Sequence, residues 1–154
     1  MDGVPSQIEL RRNLRRIAQA FRVGPARRSY DDPSYEAFTH AFDGNGMRPY
    51  APVHVRVDTV GGGDLRFNWI RRTRIDGDAW DLVDVPLGED SEAYTVRVLQ
   101  SEQVLREEIV GEAAWIYAAT ERQRDGVTGP FQVSVAQNSA RFGPGPFRTV
   151  TVSL

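Results

Sequence analysis

The sequence predicts a mainly β fold, an antiparallel sandwich with a short α-helical extension at its N-terminal end. Three observations carry this. From residue 53 onward, apolar residues alternate with polar ones in short runs separated by Gly, Pro and Asp turns. Before residue 52 the apolar residues recur instead at three- and four-residue steps. Between the two regimes lies Met47-Arg48-Pro49-Tyr50-Ala51-Pro52, where two prolines disfavour helix and favour an extended linker. The expected division is a helical extension and linker over 1–51 and a sandwich over 52–154.

The extension reads as two helices. Pro5-Ser6-Gln7-Ile8-Glu9 has the S-x-x-E pattern, in which the hydroxyl and the carboxylate each satisfy an amide at a helix start. Leu10, Leu14, Ile17 and Phe21 then form one stripe, flanked by Arg11, Arg12, Arg15 and Arg16, and Gly24-Pro25 ends it. Asp32-Pro33 opens a second helix, with Asp as cap and Pro at the first helical position; Tyr35, Phe38 and Phe42 share a face. Two such short helices cannot cover each other's apolar faces. Leu10, Leu14, Ile17 and Phe21, with Arg12 and Arg16 beside them, are therefore candidates for docking on the following domain or on another subunit. For the arginines, a solvated helix face is the competing reading.

The strands follow in order. Val53, Val55 and Val57 alternate, Gly61-Gly62-Gly63 turns the chain, and Leu65, Phe67 and Trp69 alternate with Arg66 and Asn68. After a long loop come Tyr94, Val96 and Val98, then Val104 and Leu105, Trp115 and Tyr117, Phe131, Val133 and Val135, and finally Val150 and Val152. About seven short strands so spaced make a sandwich, with Trp69 in phase with the core row.

Composition narrows the function. The formal charge is -2, against the strong basic excess usual for nucleic-acid or acidic-membrane binding. There are no cysteines, so disulfides, thiolate metal sites and Cys nucleophiles are excluded. No apolar run reaches the roughly 20 residues of a membrane span, and residues 1–20 do not read as an export signal. All nineteen basic residues are arginine, which excludes Schiff-base and phosphate-loop lysine chemistry.

Candidate chemistry concentrates in Trp69-Ile-Arg-Arg-Thr-Arg-Ile-Asp-Gly-Asp-Ala-Trp80. Arg71, Arg72 and Arg74 lead off a strand into the turn Asp76-Gly77-Asp78, and Glu89, Asp90 and Glu92 approach the next strand as expected ion-pair partners. A Ca²⁺ loop would need a closing Glu about six residues after its Gly; Val83 stands there. Trp80 lies outside the strand alternation. One reading packs it on the sandwich edge. The other makes it an exposed anchor for a sugar face or a protein partner, with Arg72, Arg74 and Asp78 as a polar rim. His40 and His54 lack a third ligand for zinc, and no G-x-S-x-G elbow is present. No catalytic residue, metal site or cofactor is expected.

Two resemblances add to this. The order Leu65-x-Phe67-x-Trp69, Tyr94-x-Val96-x-Val98, Trp115-x-Tyr117, Phe131-x-Val133-x-Val135-Ala136-x-Asn138 and Gly143-x-Gly145-Pro146 resembles a fibronectin type III domain. That resemblance implies a core Trp on the second strand; Phe131 stands where the family's sixth strand carries Tyr and loses the hydroxyl. The segments Gly24-Pro-Ala-Arg-Arg, Asp32-Pro-Ser-Tyr, Gly46-Met-Arg-Pro-Tyr-Ala-Pro-Val-His, Trp69 to Trp80, Val85-Pro-Leu-Gly-Glu-Asp-Ser-Glu-Ala-Tyr and Arg141-Phe-Gly-Pro-Gly-Pro are similar to the C-terminal end of the phage-tail baseplate hub or host-specificity family of gene transfer agents and siphophage-like tails. It implies a structural part of a tail tip in a phage-like particle, as a fragment, a cleaved tail or a small homologue. Its implied partners are other tail and baseplate subunits and cell-surface polysaccharide, with no nucleic acid and no membrane insertion. The family's glycosidase-like activity has no corresponding residues here. A stand-alone carbohydrate-binding sandwich is the alternative.

Overall fold

A computed structural model describes residues 11–75 and 85–153. The chain divides into two compact units, Met1–Gly46 and Met47–Leu154.

The second unit is the expected sandwich. Its strands are β3 (Val53–Thr59), β4 (Leu65–Ile70), β5 (Tyr94–Gln100), β6 (Gln103–Val110), β7 (Ala114–Tyr117), β8 (Phe131–Ser139), β9 (Gly143–Pro144) and β10 (Arg148–Val152), with one helix, α1 (Ala119–Arg124). One sheet has the order β3-β4-β7 and the other β10-β8-β5-β6, with the two-residue β9 beside β8. All pairings are antiparallel. The unit first enters β3 through a bulge, where the register shifts between Val53 and Arg56 and His54 takes a φ of 52°.

The alternation read from the sequence is the packing. Leu65, Phe67 and Trp69 on β4 are buried while Arg66 and Ile70 face out. They meet Tyr94, Val96 and Val98 of β5, Trp115 and Tyr117 of β7, Phe131, Val133 and Val135 of β8 and Val152 of β10 in one core. Register places Phe67 opposite Trp115, with ring centroids 5.6 Å apart, and the aromatic row continues through Tyr117 to Phe131 on the other sheet. Trp69 is 5% exposed and meets Tyr94 edge-on at 5.2 Å. Each large side chain so buried stabilises the fold by about 1.5–3 kcal/mol.

Two edge strands, β6 and β7, belong to different sheets and are joined by polar contacts. Arg106 of β6 reaches Asp125, just past α1, through Nε to Oδ2 at 2.6 Å, and Glu121 at 3.1 Å, and also pairs with Glu108. The Trp115 indole donates to Glu108 at 3.0 Å, and the Tyr117 hydroxyl donates to Asp125. Burial, and next the bond to Asp125, push the Tyr117 hydroxyl above its ordinary range. Asp64 accepts the Ala119 amide at 2.8 Å and so caps α1 from a distant turn. On the outer face, Arg97 of β5 gives Nε to Glu107 of β6 and lays its guanidinium on Phe147, 4.3 Å from the ring centroid. The short Ser134 and Ala136 of β8 leave room for this span.

The first unit departs from expectation. Where two helices were expected, it holds a two-stranded antiparallel sheet, β1 (Gln19–Val23) with β2 (Glu36–His40), after a single 3-10 turn at Arg12–Leu14. The Leu14-Ile17-Phe21 stripe is broken at Arg16, whose φ is 62° and whose amide donates to Phe42 O. Asp32 does not cap a helix. Its Oδ1 accepts the Ser34 amide at 3.0 Å and the Ser34 hydroxyl at 2.7 Å, which closes an Asx turn. Both bonds, the hydroxyl's first, hold its carboxyl below the usual value. With no described residue between 11 and 46 buried, no core enforces a helical face on this stretch. The capping pattern at Ser6–Glu9 lies outside the described residues.

Candidate functional site

The arginine-rich segment and the carboxylates after it do meet. Arg74 pairs with Glu89 at 3.3 Å, and the Glu89 side chain is 8% exposed. Arg71 donates to the carbonyls of Val85 at 2.7 Å and Pro86 at 3.1 Å. Thr73 Oγ1 and Ile75 close a small turn, and Gly88, with φ of 72°, passes so near that a Cβ there would lie 3.2 Å from Thr73 Oγ1. The two arms of the loop are thereby braced against each other. Arg72 leaves this bracing and stacks on Tyr50, 4.8 Å from its centroid. Arg141 pairs with Asp90, and Glu92 accepts the Tyr94 hydroxyl at 2.7 Å. Asp78 and Trp80 lie outside the described residues, so of the four proposed binding residues the structure places Arg72 and Arg74 only. Arg74 is committed to Glu89, which makes it a brace; Arg72 keeps an aromatic partner suited to a contact surface.

The proposed docking residues scatter. Leu10 and the Arg12 side chain lie outside the described residues. Leu14 ends the 3-10 turn, Ile17 is 51% exposed, and Arg16 pairs with Asp43 at 3.4 Å. Among the described docking residues, Phe21 joins an aromatic cluster. It stands opposite Phe38 in the β1–β2 register, stacked at 5.4 Å, with Phe42 edge-on at 5.6 Å and His40 against Phe42 at 4.5 Å. Phe38 and Phe42 are more than a third exposed, and no described residue from 11 to 46 is buried. Among the described residues this sheet has an aromatic face and no buried core.

Its other face carries residues that the sequence reading passed over. Ala20 pairs with Thr39 and Arg22 with Ala37. The Arg22 guanidinium lies over Tyr30 at 5.0 Å and Tyr35 at 5.9 Å. Ala20, Arg22, Ala37, Thr39 and Tyr30, together with Phe21 and Phe38, line an open trough of about 460 Å³. Tyr35 is fixed by its hydroxyl, which donates to Pro25 O at 3.2 Å, and by close packing on Gly24, where a Cβ would fall 2.4 Å from the ring. The signal available in the sequence was Phe38-x-His40-x-Phe42, a period of two hidden by the Tyr35-Phe38-Phe42 spacing.

Among the described residues, no three His, Asp or Glu side chains gather for a metal ion, and no helix is long and apolar enough to cross a membrane.

No family model matches the chain, and no curated protein matches it. Among solved structures, the extracellular domains d3–d4 of rat CD45 align with all of this chain and 72% of theirs, with a TM-score of 0.51 and 10% identity. The crystal structure of FN3tt aligns with 68% of this chain and 92% of its own, at TM-score 0.45 and 12% identity. The spore cortex lytic enzyme SleM of Clostridium perfringens aligns with 69% of this chain over 28% of its own length, at TM-score 0.45. At such identities the likeness is one of fold. The fold is mainly β, a fibronectin type III-like antiparallel sandwich.

Proposed function

We propose that this chain is a non-catalytic assembly module of a phage-like tail tip or baseplate, with a part in host-surface attachment. The observation that carries the docking role is the first unit: a paired sheet, aromatic on one face, in which no described residue is buried. An isolated two-stranded hairpin is marginally stable in water. An element of this kind gains its stability from what it docks on, as a subunit arm does. The tail-tip setting rests on the sequence segments similar to the baseplate hub family, above all Trp69 to Trp80 and Val85 to Tyr94.

The test is location. Tagged chain should co-purify with intact tail particles and appear at the tip in images of them. Particles whose tips lack it, from cells that make it, would refute the reading.

The braced loop favours a second reading, a carbohydrate-binding sandwich in which Trp80 stacks on a sugar, because Arg71 and Arg74 hold both arms of the loop that bears it. Under that reading, Trp80→Ala abolishes glycan binding by the isolated chain. Retained binding excludes it.

A further inference from the structure

We infer that the trough on the β1–β2 sheet receives a carboxylate from an extended acidic segment of a neighbouring protein subunit, with Arg22 as its anchor; this rests on the assembly reading above and names the partner of the same arm.

Charge selects the partner. Residues 11–46 carry seven arginines against four carboxylates. Arg16 and Arg28 are partly offset by Asp43 and Asp32. Arg22 is not: its contacts are with Tyr30 and Tyr35, and it forms no ion pair among the described residues. A guanidinium held against aromatic rings keeps its N–H edge directed outward, which matches the two oxygens of a carboxylate. This uneven charge also weighs against a second copy of the same sheet as the occupant, since arginines would then face arginines.

Shape selects a peptide. Ala20, Ala37 and Thr39, which share one face in the β1–β2 register, line the trough with side chains small enough for a chain to lie close, beside Arg22, Tyr30 and the rings of Phe21 and Phe38. Among the described residues the sheet has only two strands, so each keeps one unpaired edge. An extended segment satisfies such an edge with main-chain hydrogen bonds while alternate side chains enter the trough. A saccharide supplies no such ladder.

The test uses the full chain and a fluorescently labelled Glu-Ala repeat peptide, followed by anisotropy at low and raised ionic strength. Polygalacturonate serves as the saccharide comparison. The wild type binds the peptide, and Arg22→Gln weakens binding by about tenfold or more, the loss expected when a charge-assisted hydrogen bond is removed. Ala37→Trp, which fills an exposed position lining the trough, weakens it as well. Arg148→Gln, an exposed arginine of the sandwich, leaves it unchanged. Circular dichroism of each variant confirms an unaltered fold. The inference is overturned if the wild type does not bind, if Arg22→Gln binds as the wild type does, if Arg148→Gln is equally weakened, or if polygalacturonate competes more strongly than the peptide. Incorporation into particles is scored separately. A chain found in tails but indifferent to the peptide sinks this inference and leaves the assembly reading standing; peptide binding by a chain absent from tails does the reverse.

Discussion

Arg106 and Asp125 form a two-point ion pair, Nε to Oδ2 at 2.6 Å and Nη2 to Oδ1 at 3.1 Å, which ties the edge of one sheet to the segment leaving the other. The Arg106 and Asp125 side chains are 20% and 12% exposed. Removing the cation leaves Asp125, Glu108 and Glu121 close together without it. Arg106→Ala is expected to cost about 1–3 kcal/mol, less than a fully buried pair because water still reaches the site. Urea unfolding measures it; a variant within experimental error of the wild type would show the network to be ornamental to stability.

The same pair predicts a pH dependence. The Arg106 bond, above all, and the Tyr117 hydroxyl hold the Asp125 carboxyl below its ordinary value, against the opposing effect of burial. A carboxyl whose folded pKa lies below its unfolded value, about 3.9, stabilises the fold fully above that value and loses the contribution as pH falls through the folded one. The stability gap between wild type and Asp125→Asn should therefore narrow as pH is lowered from about 6 to about 2. A constant gap across that range would assign the effect to packing.

Trp69 tests the core. It is buried and packed edge-on against Tyr94. Trp69→Ala is expected to cost about 3–5 kcal/mol, and Trp69→Phe distinctly less. Equal stability of the alanine variant by chemical denaturation would contradict the packing described.

Gly145 tests a close approach of backbone. A Cβ at this position would stand 2.2 Å from the Pro49 carbonyl oxygen, while the Gly145 amide donates to Gln137 O at 2.9 Å. Gly145→Ala must displace the 49 segment, at a cost of about 1–3 kcal/mol by analogy with overpacking. Thermal melts compare it with Gly61→Ala, where a Cβ meets nothing and φ is not in the left-handed range.

The sandwich was legible because one face of each strand is buried. Leu65, Phe67 and Trp69 must alternate with polar neighbours when a core lies on one side only, and the structure buries that row. The pairing of Arg74 with Glu89 was legible too, since both ends of one loop are bound to return near each other. The network around Arg106 was not. Which charges meet there depends on β6 of one sheet lying beside β7 of the other, a fact of topology that no local pattern records. The first unit misled for the opposite reason to the sandwich. With no described residue buried between 11 and 46, no face is enforced on the sequence, and spacings of three and four at Leu14, Ile17 and Phe21 arose without a helix to require them.

The placement of the indoles has a practical outcome. All three tryptophans, at 69, 80 and 115, follow residue 46. Trp69 and Trp115 are core residues of the sandwich, so their emission reports on it, whereas residues 11–46 hold tyrosine and phenylalanine but no tryptophan. Indole emission therefore follows the melting of the sandwich core itself, while far-ultraviolet signals follow the strands of the whole chain.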